Sequence, residues 1–443
     1  MGAGSGNLTG PCAGDADGTR AGAPPYRGLR GIPRGVWALG CVSLLMDSST
    51  ELIQSLLPVF VVVGLGASPA MLGLIEGIAE ATAAVLKGVS GVWSDRMGRR
   101  LPLALSGYAV AAAAKLLFPL ATSVGWVLGA RAIDRIGKGL RGAPRDALVT
   151  ELTPVAVRGA AFGMRQALDT VGAVLGPLLA AILMVLLHGD FRTVFWFACI
   201  PAGLAVAVLW LGVDESGARV AGARPPGRSS ARSSARRPEP AARRPHRAAA
   251  VPGALGGRLW ALIGIGAVFG LARFSEAFLL LDAGRLGLSS ARVPLVLLVM
   301  NLTYAVSAYP SGAASDRVGR LRLLGLGVAL LVAADATLWA ASTPAGVLVG
   351  AALWGLHLGL TQGAFSALVS DCSAADSRGA AFGAYHMTTG AAALASNLVA
   401  GQLWQSVGSA MVFTVSGGLA VAAGVGLLWW GRGTRSRSSP AVG

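Results

Sequence analysis

Apolar runs of about 20 residues recur along the chain, and each is separated from the next by glycine, proline, serine or charged residues. A run of this length crosses the hydrocarbon core of a bilayer, roughly 30 Å thick, as an α-helix. The runs consist mainly of leucine, alanine, glycine and valine and do not alternate with polar residues, which favours helices over the strands of a membrane barrel. Twelve spans are predicted, near residues 36–63, 71–93, 103–122, 124–148, 160–187, 193–213, 259–281, 291–313, 323–342, 344–370, 380–403 and 409–430.

The composition strengthens this prediction. Hydrophobic residues make up 54% of the 443 residues and charged residues only 13%, whereas a soluble domain carries about 25% charged residues. We therefore predict a multi-pass protein of the cell membrane, surrounded by the lipid bilayer. The sequence holds no Ser/His/Asp cluster, HExxH motif or phosphate-binding glycine loop, so we predict no enzyme, no cofactor and no metal site.

A segment of different composition separates the sixth span from the seventh. It is rich in arginine, serine, proline and alanine and has no periodicity, as is typical of a disordered linker. The predicted organisation is a disordered N-terminal tail (1–35), a six-helix bundle (36–213), the basic linker (214–257), a second six-helix bundle (258–431) and a C-terminal tail (432–443).

The positive charges are placed asymmetrically. The formal net charge is +16, and the arginines concentrate in the tails, the linker and the loops that lie on one side in a twelve-span arrangement. Cationic loops stay in the cytoplasm, so both termini are predicted to be cytoplasmic. The linker is interpreted as a tether beside an anionic membrane leaflet, with no nucleic-acid partner, and the protein as a monomer.

Two pairs of matching segments indicate an internal duplication. The phrase SGVWSDRMGR (Ser90–Arg99) returns as SGAASDRVGR (Ser311–Arg320), with seven of ten residues identical. ALVTELTPVAVRGAAFG (Ala147–Gly163) returns as ALVSDCSAADSRGAAFG (Ala367–Gly383) at an offset of 220 residues, with nine of seventeen identical. Each half is therefore predicted to be one copy of a six-helix unit, with a substrate site between the copies near mid-membrane.

The repeated phrase falls in the short loop between the second and third spans of each copy. Its glycines permit close helix approach and a tight turn, and its charged residues can form contacts that break when the cytoplasmic side opens. We interpret both loops as gates, formed by Gly91, Asp95, Arg96, Gly98 and Arg99 in the first copy and by Gly312, Asp316, Arg317, Gly319 and Arg320 in the second.

Three motifs resemble those of the major facilitator superfamily. GVWSDRMGRR is similar to its GxxxDRxGRR signature, although the second copy has Leu321 at the last position. RAIDRIGKGLRGAPRD resembles its fourth-helix motif, with Lys138 in place of the usual glutamine, and GAVLGP resembles the GxxxGP element of its proton-coupled exporters. The resemblance implies an all-α membrane fold of twelve transmembrane helices in two pseudo-symmetric six-helix bundles. The matching positions are Gly91, Asp95, Arg96, Gly98, Arg99 and Arg100, then Arg135 and Gly139, then Gly172, Gly176 and Pro177.

Ionisable residues within the predicted spans lie mostly in the first copy. Every charge of span four is replaced by a neutral residue in span ten, and seven charges on one helical face cannot contact lipid. The predicted cavity and proton-coupling charges are Asp47, Glu51, Glu76, Glu80, Arg131, Asp134, Arg135, Lys138, Asp169, Arg273 and Glu276. The alternative interpretation is a set of static ion pairs within the first bundle.

Within this set we expect one acid, among Asp47, Glu51, Glu76 and Glu80, to carry a proton, with Arg135 as its counter-charge. Arg273 and Glu276 are three residues apart in span seven, a spacing that allows them to pair on one helical face. The neutral second copy is expected to contribute aromatic and polar side chains to a substrate cavity, namely Tyr304, Trp354, Tyr385 and His386.

Three functions remain open at this stage. The preferred hypothesis is proton-coupled efflux of small organic molecules, drug-like compounds or metabolites, by alternating access. A surplus of arginine and lysine on span four instead suits an importer of an anionic metabolite or a metal chelate. A membrane sensor that has lost transport is the third, because the tails and the linker could recruit partners.

Overall fold

The computed structural model describes residues 32–97, 100–154, 157–213, 256–373 and 378–435. Throughout these ranges the chain forms helices joined by turns, and no β-strand occurs in them. The helices of the first half are α1 (Arg34–Gln54), α2 (Leu57–Val59, continued by a π-helical turn, Phe60–Gly64), α3 (Pro69–Met97), α4 (Leu101–Lys115), α5 (Val124–Leu152), α6 (Arg158–Leu186) and α7 (Phe191–Gly212). Those of the second half are α8 (Gly257–Leu271), α9 (Ala277–Arg285), α10 (Pro294–Val318), α11 (Arg320–Ala340), α12 (Pro344–Asp371), α13 (Arg378–Ser406) and α14 (Ser409–Arg435).

The helices confirm an integral membrane protein. Within the described ranges, eight helical segments are long and apolar enough to cross a membrane, while α4 and α8 are apolar but shorter. Helix α5 is 29 residues long, and its row of charged residues lowers its hydropathy. The count of twelve spans and the cytoplasmic termini stay predictions. Most of the predicted tails and linker (1–31, 214–255 and 436–443) lies outside the described residues.

Within the N-terminal bundle, α1 packs along α6 through the glycines of the GAVLGP motif. A Cβ atom at Gly172 would lie 2.5 Å from the carbonyl oxygen of Leu44, and one at Gly176 would lie 2.6 Å from the Cβ of Glu51. Neither distance is possible for a real side chain, so these two glycines allow the two backbones to touch. The motif therefore fixes how close α1 lies to α6, and with it where Glu51 sits.

The two bundles join where α3 runs along α13 and α6 along α10. The contact is tightest near Pro69: a Cβ at Gly401 would lie 2.8 Å from the carbonyl oxygen of Pro69, and one at Gly73 would overlap the backbone of Asn397. Near the other end of α3, a Cβ at Gly88 would have no neighbour within 4 Å. We call these two ends of the bundles the Pro69 end and the Arg100 end.

Two predicted spans are broken at equivalent places in the duplication. The first is interrupted at Ser55 and the seventh between Ala272 and Glu276, around Ser275, which is 220 residues after Ser55. In the seventh span the backbone N–H of Ser275 donates to Oδ1 of Asn397 at 2.8 Å instead of to a helical carbonyl. The short helices that follow the breaks, α2 and α9, contact each other at the Pro69 end.

This break corrects one expectation. The residues around Arg273 do not form a helical face, so the predicted helical pair of Arg273 with Glu276 is wrong, and none of the described ion pairs joins the two side chains. The sequence of this segment, RFSE, places three polar residues in four. Ser275 hydrogen-bonds to Asn397 of α13 and to Glu76 of α3 in place of the contacts of a continuous helix.

Candidate functional site

A cavity of about 810 Å³ lies between the two bundles. Helices α1, α3, α5 and α6 supply one wall, and α8, the break after it, α12 and α13 supply the other. Seven glutamate, lysine and arginine side chains line it: Glu51, Glu80, Lys87, Arg135, Lys138, Arg273 and Glu276. Apart from Gly266, Gly270 and Ala393, the remaining lining is polar or aromatic.

The N-terminal wall is centred on Arg135. Its guanidinium lies 3.3 Å from Oε1 of Glu80 and donates to Oε1 of Gln54 at 3.2 Å. The Arg135 side chain is 1% exposed, whereas that of Glu80 is 43% exposed. The Nε and Nη1 atoms of Arg135 are buried without a hydrogen-bond partner. A buried cation with two unpartnered nitrogen atoms therefore faces an acid that remains open to the cavity.

Glu51 and Lys138 line the same wall. Among the described ion pairs, neither side chain has a partner within 4.0 Å. Glu51 is placed by the close α1–α6 contact, and Lys138 stands one turn after Arg135 on α5. Both groups are thus available to a ligand or to each other if the wall moves.

The C-terminal wall is largely aromatic. The rings of Phe269 and Phe365 stack with centroids 5.2 Å apart, and Phe365 stacks on Tyr385 at 6.4 Å. The guanidinium of Arg273 lies 5.9 Å from the centre of the Phe269 ring. This wall offers flat apolar surface with one cation beside it, so it suits a planar or amphiphilic ligand.

The predicted substrate residues fall in or next to this wall. Trp354, Tyr385 and His386 line the cavity, although Trp354 is only 1% exposed. Tyr304 lines a smaller adjoining pocket and donates a hydrogen bond to the Gln362 side chain at 3.2 Å. Gln362 itself lines the main cavity.

Other predicted site charges lie away from the cavity in ion pairs. Arg131 pairs with Glu76 at 2.9 Å, and both side chains are 1–3% exposed. Asp134 pairs with Lys115 of α4 at 2.7 Å with the same burial. These pairs link α5 to α3 and to α4 inside the bundle.

The remaining two acids lie on α1 and α6, toward the Arg100 end. Asp47 lies 3.9 Å from Arg141, and Asp169 is 2.7 Å from Arg165 and 3.9 Å from Arg145. The carboxylates of Asp47 and Asp169 are not part of the cavity lining. The eleven predicted charges thus divide into six that line the cavity and five that do not.

Glu76 also connects the two bundles. Its Oε2 accepts hydrogen bonds from Arg131 at 2.9 Å and from the hydroxyl of Ser275 at 3.3 Å. Ser275 in turn donates its N–H to Asn397. A polar chain therefore runs from α5 through α3 to the break of the seventh span and on to α13.

Sequence reasoning missed several of these groups. Lys115 is an isolated charge inside a predicted span, and such a charge is a signal for a buried partner. Gln54 and Gln166, which also line the cavity, are polar residues within predicted spans. Ser275 and Asn397 are also polar residues within predicted spans, but their contact depends on a helix break that the hydropathy does not reveal.

The structure describes the predicted gate loops in part. Gly98 and Arg99 lie outside the described residues, as do the side chains of Asp95, Arg96, Asp316 and Arg317. Gly91 and Gly312 are helical. Gly319, the residue before α11, has a φ of +92°, the left-handed region that favours glycine.

Two ion pairs flank these loops at the Arg100 end. Arg100 lies 3.1 Å from Glu151 at the end of α5. Arg320 pairs with Asp371 at the equivalent end of α12 and also donates to the carbonyl of Ala367 at 3.4 Å. Both copies therefore tie the start of their third span to the end of their fourth.

Metal ligation has no support in the described ranges, where no three His, Cys, Asp or Glu side chains are grouped to hold an ion.

Comparisons with known proteins match this architecture. The profile of the Major Facilitator Superfamily matches residues 39–281 and 260–442. An uncharacterized MFS-type transporter of Methanocaldococcus jannaschii is 29% identical over 409 residues, covering 90% of this chain and 96% of the relative. The multidrug resistance protein MdtH of Yersinia enterocolitica is 32% identical over 149 residues, covering 33% of this chain and 36% of the relative.

A solved structure shares the fold. The crystal structure of a bacterial homologue of the human lysosomal transporter Spinster, in an inward-facing and occupied conformation, aligns with a TM-score of 0.68 at 16% identity, covering 92% of this chain and 98% of the other. Sequence profile, full-length relative and fold agree. The chain belongs to the Major Facilitator Superfamily, and is thus a membrane transporter of small molecules and not an enzyme.

Proposed function

We propose that the protein exports small organic molecules across the cell membrane by alternating access, in exchange for protons. The observation that carries this proposal is the cavity between the bundles, which has an ionisable wall on one side and an aromatic wall on the other. An amphiphilic molecule can contact both walls at once. The volume of about 810 Å³ is in the range of small-molecule sites, roughly 300–1,000 Å³.

Proton coupling is supported by Glu80 and Arg135. A guanidinium stays charged in proteins, so a proton that enters this pair binds to the carboxylate. Protonation of Glu80 removes the attraction that holds it at 3.3 Å and leaves Arg135 free to attract another negative group. Because Glu80 is open to the cavity, substrate and proton can compete for the same wall.

The structure favours two of the four predicted proton carriers. Glu76 is buried in its pair with Arg131, and Asp47 does not line the cavity. Glu80 and Glu51 both line it, within reach of water and substrate. We therefore propose Glu80 and Glu51 as carriers, with Arg135 as the counter-charge.

Alternating access is supported by the unequal packing of the two ends. Helices α3 and α13 touch through Gly73 and Gly401 at the Pro69 end, while Gly88 has open space near the Arg100 end. With the arginine-rich loops in the cytoplasm, this arrangement corresponds to a state closed to the outside and open to the cytoplasm. Rocking of the bundles about the cavity would reverse it.

Efflux is supported by the GAVLGP motif of α6 and by the similarity to a multidrug resistance protein over a third of the chain.

One observation favours import of an anion as the second candidate. The cavity lining contains four cationic side chains, Lys87, Arg135, Lys138 and Arg273, and three acids, Glu51, Glu80 and Glu276. If all seven groups are ionised, the cavity has one more positive than negative charge and attracts an anion.

The experiment has two stages. A growth-inhibition panel that compares a deletion strain with an overexpressing strain identifies compounds to which the protein gives resistance. The purified protein is then placed in liposomes that contain a pH-sensitive dye, and one such compound is added under an imposed proton gradient. We expect the compound to move against the proton flow and to dissipate the gradient.

Other outcomes separate the alternatives. Movement of the compound in the same direction as the protons would support import, and movement that leaves the gradient intact would rule out proton coupling. A protein that transports no compound of the panel and passes no protons would support a sensor. Liposomes without protein give the background leak.

A further inference from the structure

A second buried acid, Asp335, lies in the C-terminal bundle outside the cavity. It stands on α11, is 2% exposed and faces α14, where a Cβ at Gly417 would lie 3.7 Å from the Cβ of Asp335. None of the described ion pairs includes Asp335, so no lysine, arginine or histidine of those residues lies within 4.0 Å of it. An ionised carboxylate in this position would be buried without any compensating charge.

Ser416 of α14 connects this acid to the broken span. Its Oγ lies 2.6 Å from Oδ2 of Asp335 and 2.6 Å from the carbonyl oxygen of Ala272, at the end of α8. The break of the helix leaves that carbonyl without its usual N–H partner four residues later. The preceding carbonyl, of Leu271, is likewise taken by the hydroxyl of Ser396 at 2.9 Å.

An oxygen–oxygen contact of 2.6 Å is a hydrogen bond, so the two such contacts of the Ser416 hydroxyl require two hydrogens. A serine hydroxyl supplies a single hydrogen and accepts through its lone pairs, and the Ala272 carbonyl has no hydrogen to give. The second hydrogen must come from Asp335. The consistent arrangement is a chain in which the protonated carboxyl of Asp335 donates to Ser416, and Ser416 donates to Ala272.

The same distances disfavour a bound metal ion between these oxygens. Oxygens that share a cation at about 2.3–2.6 Å generally lie more than about 3 Å apart, whereas 2.6 Å is a hydrogen-bond distance for two oxygens. The ligand that fits this site is a proton.

Other charged or titratable groups lie elsewhere on the surrounding helices. Helix α14 has none between Ser409 and Gly431, and the nearest on α12 is His357, whose Nδ1 contacts the carbonyl of Gly327, two turns from Asp335. On α10 these groups are Tyr304, Tyr309, Asp316 and Arg317; on α8, Arg258; on α11 itself, Arg320 and Arg322. Arg273 follows Ala272 directly and lines the cavity.

We propose that Asp335 is a proton-binding site of the C-terminal bundle, and that its proton is exchanged when the break after α8 moves. While the proton is bound, Ser416 holds the carbonyl of Ala272 and so positions Arg273 at the cavity. When the break moves and lets water reach the carboxyl group, the proton passes to that water, the single hydrogen of Ser416 turns to the carboxylate, and the hold on Ala272 is lost. The link to transport rests on the proposed function, but the protonation and its effect on the break do not.

The first test is infrared spectroscopy of the full-length protein in liposomes at neutral pH. The spectrum of Asp335→Asn is subtracted from that of the wild type. We expect a band from the C=O stretch of a protonated carboxylic acid in the wild type that the variant lacks. Bands of an ionised carboxylate in its place would overturn the whole proposal.

The second test is hydrogen exchange of the segment around 268–277, measured from acidic to alkaline pH. An asparagine at position 335 keeps an N–H donor toward Ser416, so this variant should fold and should hold the break at every pH. We expect the ratio of wild-type to variant exchange rates to be near one at acidic pH and to rise several-fold at alkaline pH. A ratio that is constant with pH would overturn the exchange of the proton.

Ser416→Ala serves as a second variant, because it removes the link while leaving the acid in place. We expect its segment to exchange faster than that of Asp335→Asn at every pH, and equal rates would contradict the role of Ser416. Neither test involves transport, so a failure of the proposed efflux function would leave both readouts intact and would be recognised separately.

Discussion

Helix α5 of the N-terminal bundle and helix α12 of the C-terminal bundle hold equivalent places in the duplication and carry different chemistry. On α5 the charges Arg131, Asp134 and Arg135 align with the neutral residues Ala351, Trp354 and Gly355 of α12. The α5 charges are balanced by acids and a lysine on α3 and α4, whereas Trp354 packs against Phe274 with centroids 5.0 Å apart. In the cavity lining, the N-terminal bundle thus supplies most of the charged side chains and the C-terminal bundle supplies the aromatic ones.

This difference shows how one repeat can acquire two roles. A charge inside a membrane bundle needs a partner on another helix, so the charges of α5 come with Glu76, Glu80 and Lys115 as a connected set. The C-terminal bundle, free of that requirement on α12, can offer apolar contacts to a substrate. Four experiments test this division, from the largest expected effect to the smallest.

Removal of one member of a buried ion pair should have the largest effect. Lys115→Met leaves Asp134 buried without its 2.7 Å partner, and we expect the free energy of unfolding to fall by about 3–5 kcal/mol. Thermal unfolding in detergent measures the loss.

The double variant Lys115→Met/Asp134→Leu replaces both members of the pair and should recover most of that stability, because neither partner is left as an uncompensated charge. If the single variant is as stable as the wild type, the pair does not stabilise the N-terminal bundle.

Separation of the two bundles should follow a substitution at their tightest contact. Gly73→Val inserts a side chain where α3 touches the backbone of Asn397, and overpacking of this kind costs about 1–3 kcal/mol. We expect the Pro69 end to open, so that a membrane-impermeant maleimide labels Ser275→Cys faster in a background without the native cysteines.

Gly88→Val on the same helix is the matched control, since a Cβ there has no neighbour within 4 Å. Equal labelling in the two valine variants would mean that the Gly73 contact does not close this end.

Neutral variants of two acids on opposite walls of the cavity show which bundle carries the coupling proton. Glu80→Gln removes the acid that pairs with Arg135, and we expect proton-driven transport to fall at least about tenfold and to depend less steeply on pH, since Glu51 remains. Glu276→Gln makes the same chemical change on the other wall and should leave the pH dependence in place. If only the Glu276→Gln variant loses the pH dependence of transport, the coupling proton is carried by the C-terminal wall.

The smallest effect is expected at the aromatic wall. Phe365→Leu removes a ring that stacks on both Phe269 and Tyr385, and stacking of this kind is worth about 0.5–1.5 kcal/mol. The affinity for an aromatic compound from the resistance panel should fall about 2–10-fold, while that for an aliphatic compound stays unchanged. Phe413→Leu, in the same bundle but outside the cavity lining, is the control.

The sequence predicted the class of fold because the hydropathy and the duplication act over long stretches. Each of the two motifs has a local physical cause. The glycines of GAVLGP allow the close α1–α6 contact, and Gly319 of the repeated charged phrase has a left-handed φ. Among the predicted acids, Glu51 and Glu80 line the cavity together with Arg135. Helical spacing groups the charges of one helix on one face, which indicated that these charges avoid lipid.

Other features could not be derived in this way. The break around Ser275 depends on Asn397, a residue 122 positions away, and hydropathy averages over such a short interruption. Glu76 and Arg131 are buried while Glu80 is exposed, and this difference depends on how α3 and α5 cross. The helical period of a sequence does not give the crossing of two helices. The protonated chain from Asp335 to Ala272 combines three helices and has no sequence pattern.

The matching interruptions at Ser55 and Ser275 offer a way to follow the protein before any cargo is known. Spin labels on α2 and α9 lie beyond the two interruptions, so a pulsed electron resonance distance between them reports that side of the molecule alone. A second pair on α4 and α11, at the Arg100 end, reports the opposite side. Anticorrelated changes in the two distances upon acidification would reveal the working cycle in the absence of any transported compound.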